Sequence, residues 1–192
     1  MSSFDPQKHH RRSIRLKGYD YAQAGACFVT IVTQGRVCLF GEVVNGEMVL
    51  NEYGKIVQKW WDDLSTHFPG IETGAFVIMP NHMHGVIIIV DDGRGAVPAP
   101  GFAPTKKQGG ETPPLHRKPT LGQIVAYFKY KSTKEMNSMD TPGVITKFWQ
   151  RNYYERIIRN EREMDAVWNY IENNPSTWAD DNENPNERFK KT

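Results

Sequence analysis

The chain has 192 residues, 39% of them hydrophobic and 24% charged, and a formal net charge of +2. This length and composition predict one globular domain and exclude a disordered or fibrous chain. No apolar run approaches the roughly 20 residues of a membrane helix, and the polar N-terminus lacks the apolar core of a secretion signal, so we expect a cytoplasmic protein without a membrane partner. The cysteines, Cys27 and Cys38, are too few for a disulfide framework and are expected to be buried thiols.

The first fifty residues predict a basic arm, a strand and a hairpin. The arm covers residues 1–20, and its cations lie close enough together in the sequence to bind a polyanion. Residues 26–33 are rich in β-branched and aromatic side chains, which favours a strand. Two short strands, at 37–40 and 48–50, are then expected to flank a turn at Asn45-Gly46, because Asn-Gly is a strong hairpin signal.

Residues 51–64 predict the first helix. Their apolar side chains recur at helical spacing, and Asn51 can serve as the N-cap. The adjacent Trp60 and Trp61 could offer a surface for stacking bases, but at this spacing packing into the core is favoured.

The rest of the chain predicts three extended segments and two helices. Strands at 74–79 and 84–90 are joined tightly through Pro80-Asn81, and a Gly/Pro-rich loop follows at 91–119. A second helix begins with a capping box at Thr120, residues 148–158 are extended, a third helix begins at Asn160 with Glu163 placed for a reciprocal cap, and a polar tail covers 179–192. This order predicts an α+β sandwich, with helices packed on a mostly antiparallel sheet.

The most informative motif is His82-Met83-His84, at the start of a strongly aliphatic strand. Side chains two residues apart in a strand project from the same face, with Cα atoms roughly 6.5 Å apart, so the two imidazoles can bind one metal ion. Buried imidazoles need partners, because an unpaired buried polar group is costly. The alternative is that each histidine makes a hydrogen bond to the backbone at the sheet edge.

The third helix offers a reactive group and a further ligand for the same site. Tyr170 and Asn174 lie one turn apart, on the flank of an apolar face formed by Met164, Val167, Trp168 and Ile171. Both side chains could thus approach one metal. Alternatively, Tyr170 is a boundary residue with its hydroxyl in water, and Asn174 ends the helix before Pro175.

Three segments together resemble the REP-associated tyrosine transposases, relatives of the single-tyrosine HUH transposases. They are, in order, Met79 to His84, Phe148 to Asn160 and Tyr170 to Pro175. The resemblance implies a ferredoxin-like fold whose central strand carries the two histidines. It also implies a tyrosine on a late helix that cuts single-stranded DNA.

By position, the resemblance makes His82, His84 and Asn174 the metal ligands and Tyr170 the nucleophile. It implies a 5′-phosphotyrosine intermediate with a free 3′-hydroxyl, and attack by another 3′-hydroxyl would rejoin the strand. Mixed nitrogen and oxygen ligation is compatible with Mg²⁺ or Mn²⁺, although imidazoles would also accept Zn²⁺. The expected partner is single-stranded DNA or a hairpin from a repeated extragenic palindrome, and both a monomer and a homodimer are compatible with the sequence.

Cations and aromatic side chains in three stretches are candidates for holding that DNA. Cations interleaved with aromatic rings suit phosphate contacts and base stacking on an unpaired strand, whereas a set of solvated charges is the alternative. The candidates are Arg11, Arg12, Arg15 and Lys17 in the basic arm, Lys129, Lys131 and Lys134 on the second helix, and Arg151, Tyr153, Arg156 and Arg159 in the extended segment.

Two other functions fit parts of the same pattern. A non-catalytic binder of hairpin or single-stranded nucleic acid would need only the cations, but such a protein is expected to have lost part of the motif, which here is intact. A metal-dependent hydrolase would use His82 and His84 to hold a metal that activates water, and Tyr170 would then have no role.

Overall fold

A computed structural model describes the chain over residues 20, 23–90, 119–140, 146–181 and 183–185. The predicted DNA-binding residues Arg11, Arg12, Arg15 and Lys17, and nearly all of the predicted loop at 91–119, lie outside these ranges. No helix within the described ranges is long and apolar enough to cross a membrane.

Strands and helices follow one another along this part of the chain in the order that the sequence predicts. The strands are β1 (Gly25–Val32), β2 (Gly41–Val44), β3 (Glu47–Leu50), β4 (Ile71–Met79), β5 (His82–Ile89) and β6 (Tyr154–Ile158). The α-helices are α1 (Glu52–Asp62), α2 (Leu64–His67), α3 (Leu121–Met139) and α4 (Glu161–Asn173). Short 3-10 helices cover Gln34–Arg36 and Pro175–Asp180.

The main sheet has the strand order β4-β5-β1-β6, and each neighbouring pair is antiparallel. β1 and β4 are connected through α1 but lie on either side of β5, while β6 follows α3 and pairs with the other edge of β1. This split arrangement is the ferredoxin-like topology, so the predicted α+β sandwich is confirmed. The β2–β3 hairpin forms a small sheet of its own.

The two faces of β5 belong to different layers, because side chains alternate along a strand. Met83 and Ile87 face the main core, to which α1 and α3 contribute Trp61 and Phe128. Val86 belongs to a second cluster, with Val167 and Ile171 of α4. The histidines share the parity of Val86, so they lie on the face that α4 covers.

The hairpin differs from its prediction in one strand. Its turn is at Asn45-Gly46 as expected, but the first strand is Gly41–Val44 and not residues 37–40. The N–H groups of Leu39 and Phe40 both donate to the carbonyl of Pro80, which holds this stretch against the β4–β5 turn. Cys38 in the same stretch is exposed, so the prediction of two buried thiols is right only for Cys27.

Helix starts agree closely with their sequence signals. Asn51 accepts a hydrogen bond from the N–H of Gly54 and caps α1, and Thr120 and Gln123 form the predicted capping box of α3. Of the tryptophan pair, Trp61 is fully buried in the core as expected, whereas Trp60 is partly exposed and donates to a carboxylate oxygen of Glu135.

Helix α4 departs from the sequence prediction at two residues. Asn160 caps the helix by accepting from the N–H of Glu163, but the Glu163 carboxylate accepts from the N–H of Arg159 and not from Asn160. Trp168 is half-exposed, because only Met164, Val167 and Ile171 of its predicted face reach the sheet. The apolar face of α4 is therefore narrower than its sequence suggests.

Candidate metal and tyrosine site

His82 and His84 lie side by side on the α4 face of β5, as their spacing predicts. They pair across the sheet with Val32 and Thr30 of β1. Their side chains are almost completely buried, with 0% and 4% exposure, and their Nε2 atoms are 3.1 Å apart. The sequence expectation that both rings serve one site is consistent with this geometry.

Asn81 determines the tautomer of His82. Its Nδ2 donates to the carbonyl oxygens of Arg36 at 3.1 Å and Glu183 at 2.7 Å, so its Oδ1 must face His82 Nδ1, 2.9 Å away. Because an amide oxygen only accepts, Nδ1 carries the proton. Burial lowers the pKa of His82 to about 4, with Asp181 opposing and Arg36 reinforcing this shift, so the ring is neutral and Nε2 offers a free lone pair.

His84 has a partner that can adapt to either tautomer. Its Nδ1 lies 2.8 Å from the hydroxyl of Thr30, which can donate or accept. If Thr30 donates, His84 carries its proton on Nε2 and points it at His82. If Thr30 accepts, both Nε2 lone pairs point into the same space, which is the arrangement that a cation needs. Burial, and then the neighbouring His82, lower the pKa of His84 well below its usual value, so this ring is also neutral.

Tyr170 reaches the histidine pair from α4. Its hydroxyl lies 3.1 Å from His84 Nε2, and its ring packs edge-on against Phe28. The residue is 46% exposed, so the hydroxyl contacts the buried site while the ring borders solvent. Burial, and after it Asp181, raise the pKa of Tyr170, whereas a hydrogen bond from Asn174 acts in the opposite direction.

Asn174 follows Tyr170 by one turn and is 2% exposed. Its Oδ1 is buried and has no hydrogen-bond partner among the described residues, which costs about 1–3 kcal/mol unless another group satisfies it. Asn174 is also the residue that the resemblance implies as the third metal ligand, beside His82 and His84. The site therefore contains an acceptor to which no described residue donates.

The three side chains suit a divalent cation. Two ligands at right angles, each about 2.1 Å from a metal, are about 3.0 Å apart, close to the 3.1 Å between the Nε2 atoms. Within the described ranges no set of three His, Cys, Asp or Glu side chains could hold a metal. The buried amide oxygen of Asn174, which has no hydrogen-bond partner among the described residues, is the candidate for a third ligand, and an amide oxygen is a donor that Mg²⁺ and Mn²⁺ accept.

The C-terminal segment borders this site, although the sequence suggests only a polar tail from residue 179. Asp181 Oδ2 lies 3.9 Å from His82 Nε2, and the ring of Trp178 lies 6.0 Å from that of His82. Glu183 forms an ion pair with Arg36 and accepts the hydrogen bond from Asn81. Asp181 thus adds a negative charge beside the histidines that no local sequence pattern indicates.

Those predicted DNA-binding residues that the structure describes lie on more than one surface. Lys129 donates to the carbonyls of Gln150 and Asn152, and burial lowers its pKa to about 8. Lys131 lies over the ring of Trp60, at 4.5 Å, on another side of α3. Tyr153 is partly buried and packs against the main core.

The arginines of the extended segment are exposed. Arg156 and Arg159 lie 3.8 Å and 4.0 Å from the carboxylate of Glu163, at the start of α4. Arg151 stands apart from them, before β6, and lines a groove beside α3. Lys134 lines the same groove.

Comparisons with known proteins agree with the fold described above. A protein of Haemophilus influenzae described as uncharacterized is 39% identical over 173 residues, which is 90% of this chain and 92% of that protein. The solved structure of a REP-associated tyrosine transposase bound to a REP hairpin has a TM-score of 0.54 and 17% identity, over 86% of this chain and 74% of that one. At this identity the likeness shows a shared fold. No family profile matches the chain.

Proposed function

This chain belongs to the family of the Haemophilus influenzae protein and has the fold of a REP-associated tyrosine transposase, and from this premise we propose that it is a metal-dependent endonuclease and strand transferase for single-stranded DNA. The observation that carries the proposal is the contact between the Tyr170 hydroxyl and His84, 3.1 Å apart, beside the unsatisfied amide oxygen of Asn174. In this proposal the nucleophile and the metal ligands would act at one point.

In the proposed reaction, the Tyr170 hydroxyl attacks the phosphorus of a DNA backbone phosphate. The attack is in line with the bond between that phosphorus and the 3′ oxygen of the preceding nucleotide. The Tyr170 Oη–phosphorus bond forms as that bond breaks, so the DNA keeps a 3′-hydroxyl and the protein carries a 5′-phosphotyrosine. Attack by another 3′-hydroxyl on the phosphotyrosine releases Tyr170 and restores a phosphodiester. Each step exchanges one ester bond for another, so no nucleotide cofactor is needed.

His82, His84 and Asn174 would hold Mg²⁺ or Mn²⁺, which when bound supplies a Lewis acid for the phosphate oxygens. The chain's own residues prepare this arrangement. Asn81 keeps the His82 Nε2 unprotonated, and Thr30 can accept the proton of His84 Nδ1. The hydrogen bond from Asn174 favours the ionised form of the Tyr170 hydroxyl, which burial disfavours.

We propose single-stranded or hairpin DNA as the substrate. The structure with a shared fold is described as bound to a REP hairpin, and this chain has exposed cations that could meet phosphates, among them Arg151, Arg156 and Arg159. We propose that a monomer can carry out cleavage, because the Tyr170 hydroxyl reaches His84 of the same chain.

The test is incubation of labelled single-stranded hairpin DNA with the protein and Mn²⁺, followed by a denaturing gel. We expect a protein-linked DNA band that EDTA abolishes and that Tyr170→Phe does not form. The exposed Tyr154→Phe is the matched control and should form the band normally. Cleavage without a linked band would instead indicate a metal-activated water, and binding without cleavage would indicate a recognition protein.

A further inference from the structure

A groove of about 610 Å³ lies between α3 and residues 146–151. Four cationic side chains line it and no acidic side chain does. These cations are Lys129, Lys134, Lys147 and Arg151. We call this surface the basic groove, and its volume is within the range of about 300–1,000 Å³ that is usual for ligand sites.

Three of the four cations are available to a ligand. Lys134, Lys147 and Arg151 are exposed and form no ion pair with any residue that the structure describes. Several like charges along one groove repel one another, and a polyanion relieves that repulsion. The arrangement therefore favours a ligand with several negative charges along its length.

Lys129 has a different role at the wall of the groove. It is partly buried and donates to the carbonyls of Gln150 and Asn152, at 2.9 Å and 2.8 Å. These two bonds tie the segment before β6 to α3. Lys129 thus holds the groove open in a defined shape and is not a free cation at its surface.

An aromatic ring borders the same groove. Tyr130 lines it and is 63% exposed, whereas Phe148 and Trp149 in its lining are buried in the core. An exposed ring beside cations is the combination by which proteins bind unpaired nucleic acid, since the ring stacks on a base and the cations meet phosphates. Double-stranded DNA presents no free base face for such stacking.

The segment that lines the basic groove is joined by its backbone to the sheet that carries the histidine pair. The N–H of Gln150 donates to the carbonyl of Val32, and Val32 is the cross-strand partner of His82. Gln150 and His82 are thus about two strand spacings, roughly 10 Å, apart across the sheet. Because the groove lies on the α3 side of the sheet and the histidine pair on the α4 side, one strand of DNA would have to pass around the sheet to reach both places.

We propose that the basic groove binds the phosphate backbone of a single-stranded segment of DNA, with Tyr130 stacking on one base. This inference rests on the proposed function and adds a location for the substrate strand. Lys134, Lys147 and Arg151 contact phosphates of the bound strand.

The test is fluorescence anisotropy of a labelled oligothymidylate with the full chain in EDTA, over a series of salt concentrations. For the double variant Lys134→Ala/Lys147→Ala we expect weaker binding. The slope of log K against the logarithm of the salt concentration should become shallower by about 1.4, since each lost single-strand phosphate contact removes about 0.7 from that slope. Lys55→Ala, an exposed lysine on α1, is the control and should leave the salt dependence unchanged. An unchanged salt dependence in the double variant would overturn the proposal.

Tyr130 gives a second, independent measurement. Tyr130→Ala should weaken oligothymidylate binding at least fivefold, the effect of about 1 kcal/mol from one stacked base, while Tyr130→Phe should bind normally. Equal losses in both variants, or a larger loss for a DNA duplex than for the single strand, would contradict the assignment.

If the groove variants bind normally while the wild type forms a protein-linked band, only the groove proposal fails. If they lose affinity but no such band forms, only the proposed nuclease function fails.

Discussion

Gly85 is a residue of the histidine strand at which a single methyl group should disturb the core, because Trp61 packs directly on its backbone. A Cβ atom at this position would lie 2.4 Å from Cζ2 and 2.5 Å from Cη2 of Trp61. Carbon atoms in contact are normally about 3.5–4.0 Å apart, so the ring would have to move by about 1 Å. It has little room, because Trp61 is 1% exposed and packs against the rings of Phe76 and Phe128.

We therefore expect Gly85→Ala to lower the free energy of unfolding by about 1–3 kcal/mol, the usual cost of overpacking a core. For a chain of this size this corresponds to a decrease in Tm of roughly 2–12 °C. Gly74→Ala is the matched control, because the nearest atom to its new Cβ would be the Cβ of Val86, at 3.1 Å and not 2.4 Å, so this substitution should cost less.

Urea unfolding followed by circular dichroism measures both variants, and a shifted midpoint with an unchanged slope would show a true change in stability. The cause is tested by repeating Gly85→Ala in a Trp61→Leu background, where the ring is gone. The two substitutions should then be coupled by at least about 0.5 kcal/mol. A loss below 0.5 kcal/mol in the wild-type background, or equal losses in both backgrounds, would refute the packing argument.

Three further predictions concern the site and the sheet. Thr30→Val should weaken Mn²⁺ binding by about 10–100-fold in calorimetry, since it removes the hydrogen-bond acceptor for the proton of His84 Nδ1. Thr30→Ser keeps the hydroxyl and should bind Mn²⁺ normally. Equal affinities of the two variants would contradict this prediction. Asn174→Leu should change the stability of the metal-free protein little, because it removes an unsatisfied buried oxygen together with the hydrogen bond to Tyr170. It should abolish the rise in Tm that Mn²⁺ causes, and a normal rise would exclude Asn174 as a ligand. Native protein at pH 8 should react with a thiol reagent at Cys38 only, because Cys38 is exposed and burial raises the pKa of Cys27 to about 11. Two reactive thiols before unfolding would contradict the position of β1, which carries Cys27.

The features that the sequence predicts well are those that local spacing determines. Strand alternation places His82 and His84 on one face, and the helical turn places Tyr170 beside Asn174. The Asn51 and Thr120 caps and the Asn45-Gly46 turn depend on neighbouring residues in the same way. The ferredoxin-like topology required more, since three separated motifs had to resemble one family.

The parts that the sequence did not predict depend on long-range pairing. Thr30 reaches His84 only through the register of β1 against β5, across 54 residues. Asn81 looked like a turn residue, yet its amide joins Arg36 and Glu183, which is 102 residues away. Asp181 lay in a stretch whose polar composition suggested a tail. No local periodicity carries information of this kind.

The same limit explains the residues that were misplaced. The stretch at 37–40 has the composition of a strand, but its N–H groups bond to Pro80 and leave it outside any sheet. Lys129 and Lys131 are near neighbours in sequence, but α3 directs them to different surfaces. Composition alone could not distinguish these environments.

The measurement that tests the central claim most directly is peptide mapping by mass spectrometry of the protein after reaction with single-stranded hairpin DNA and Mn²⁺. We predict a nucleotide attached through a 5′-phosphate to the peptide that contains Tyr170, and no such attachment when EDTA replaces the metal. The tyrosines of the extended segment, Tyr153 and Tyr154, should stay unmodified. Cleaved DNA with every tyrosine unmodified, or a nucleotide on a tyrosine other than Tyr170, would contradict the account.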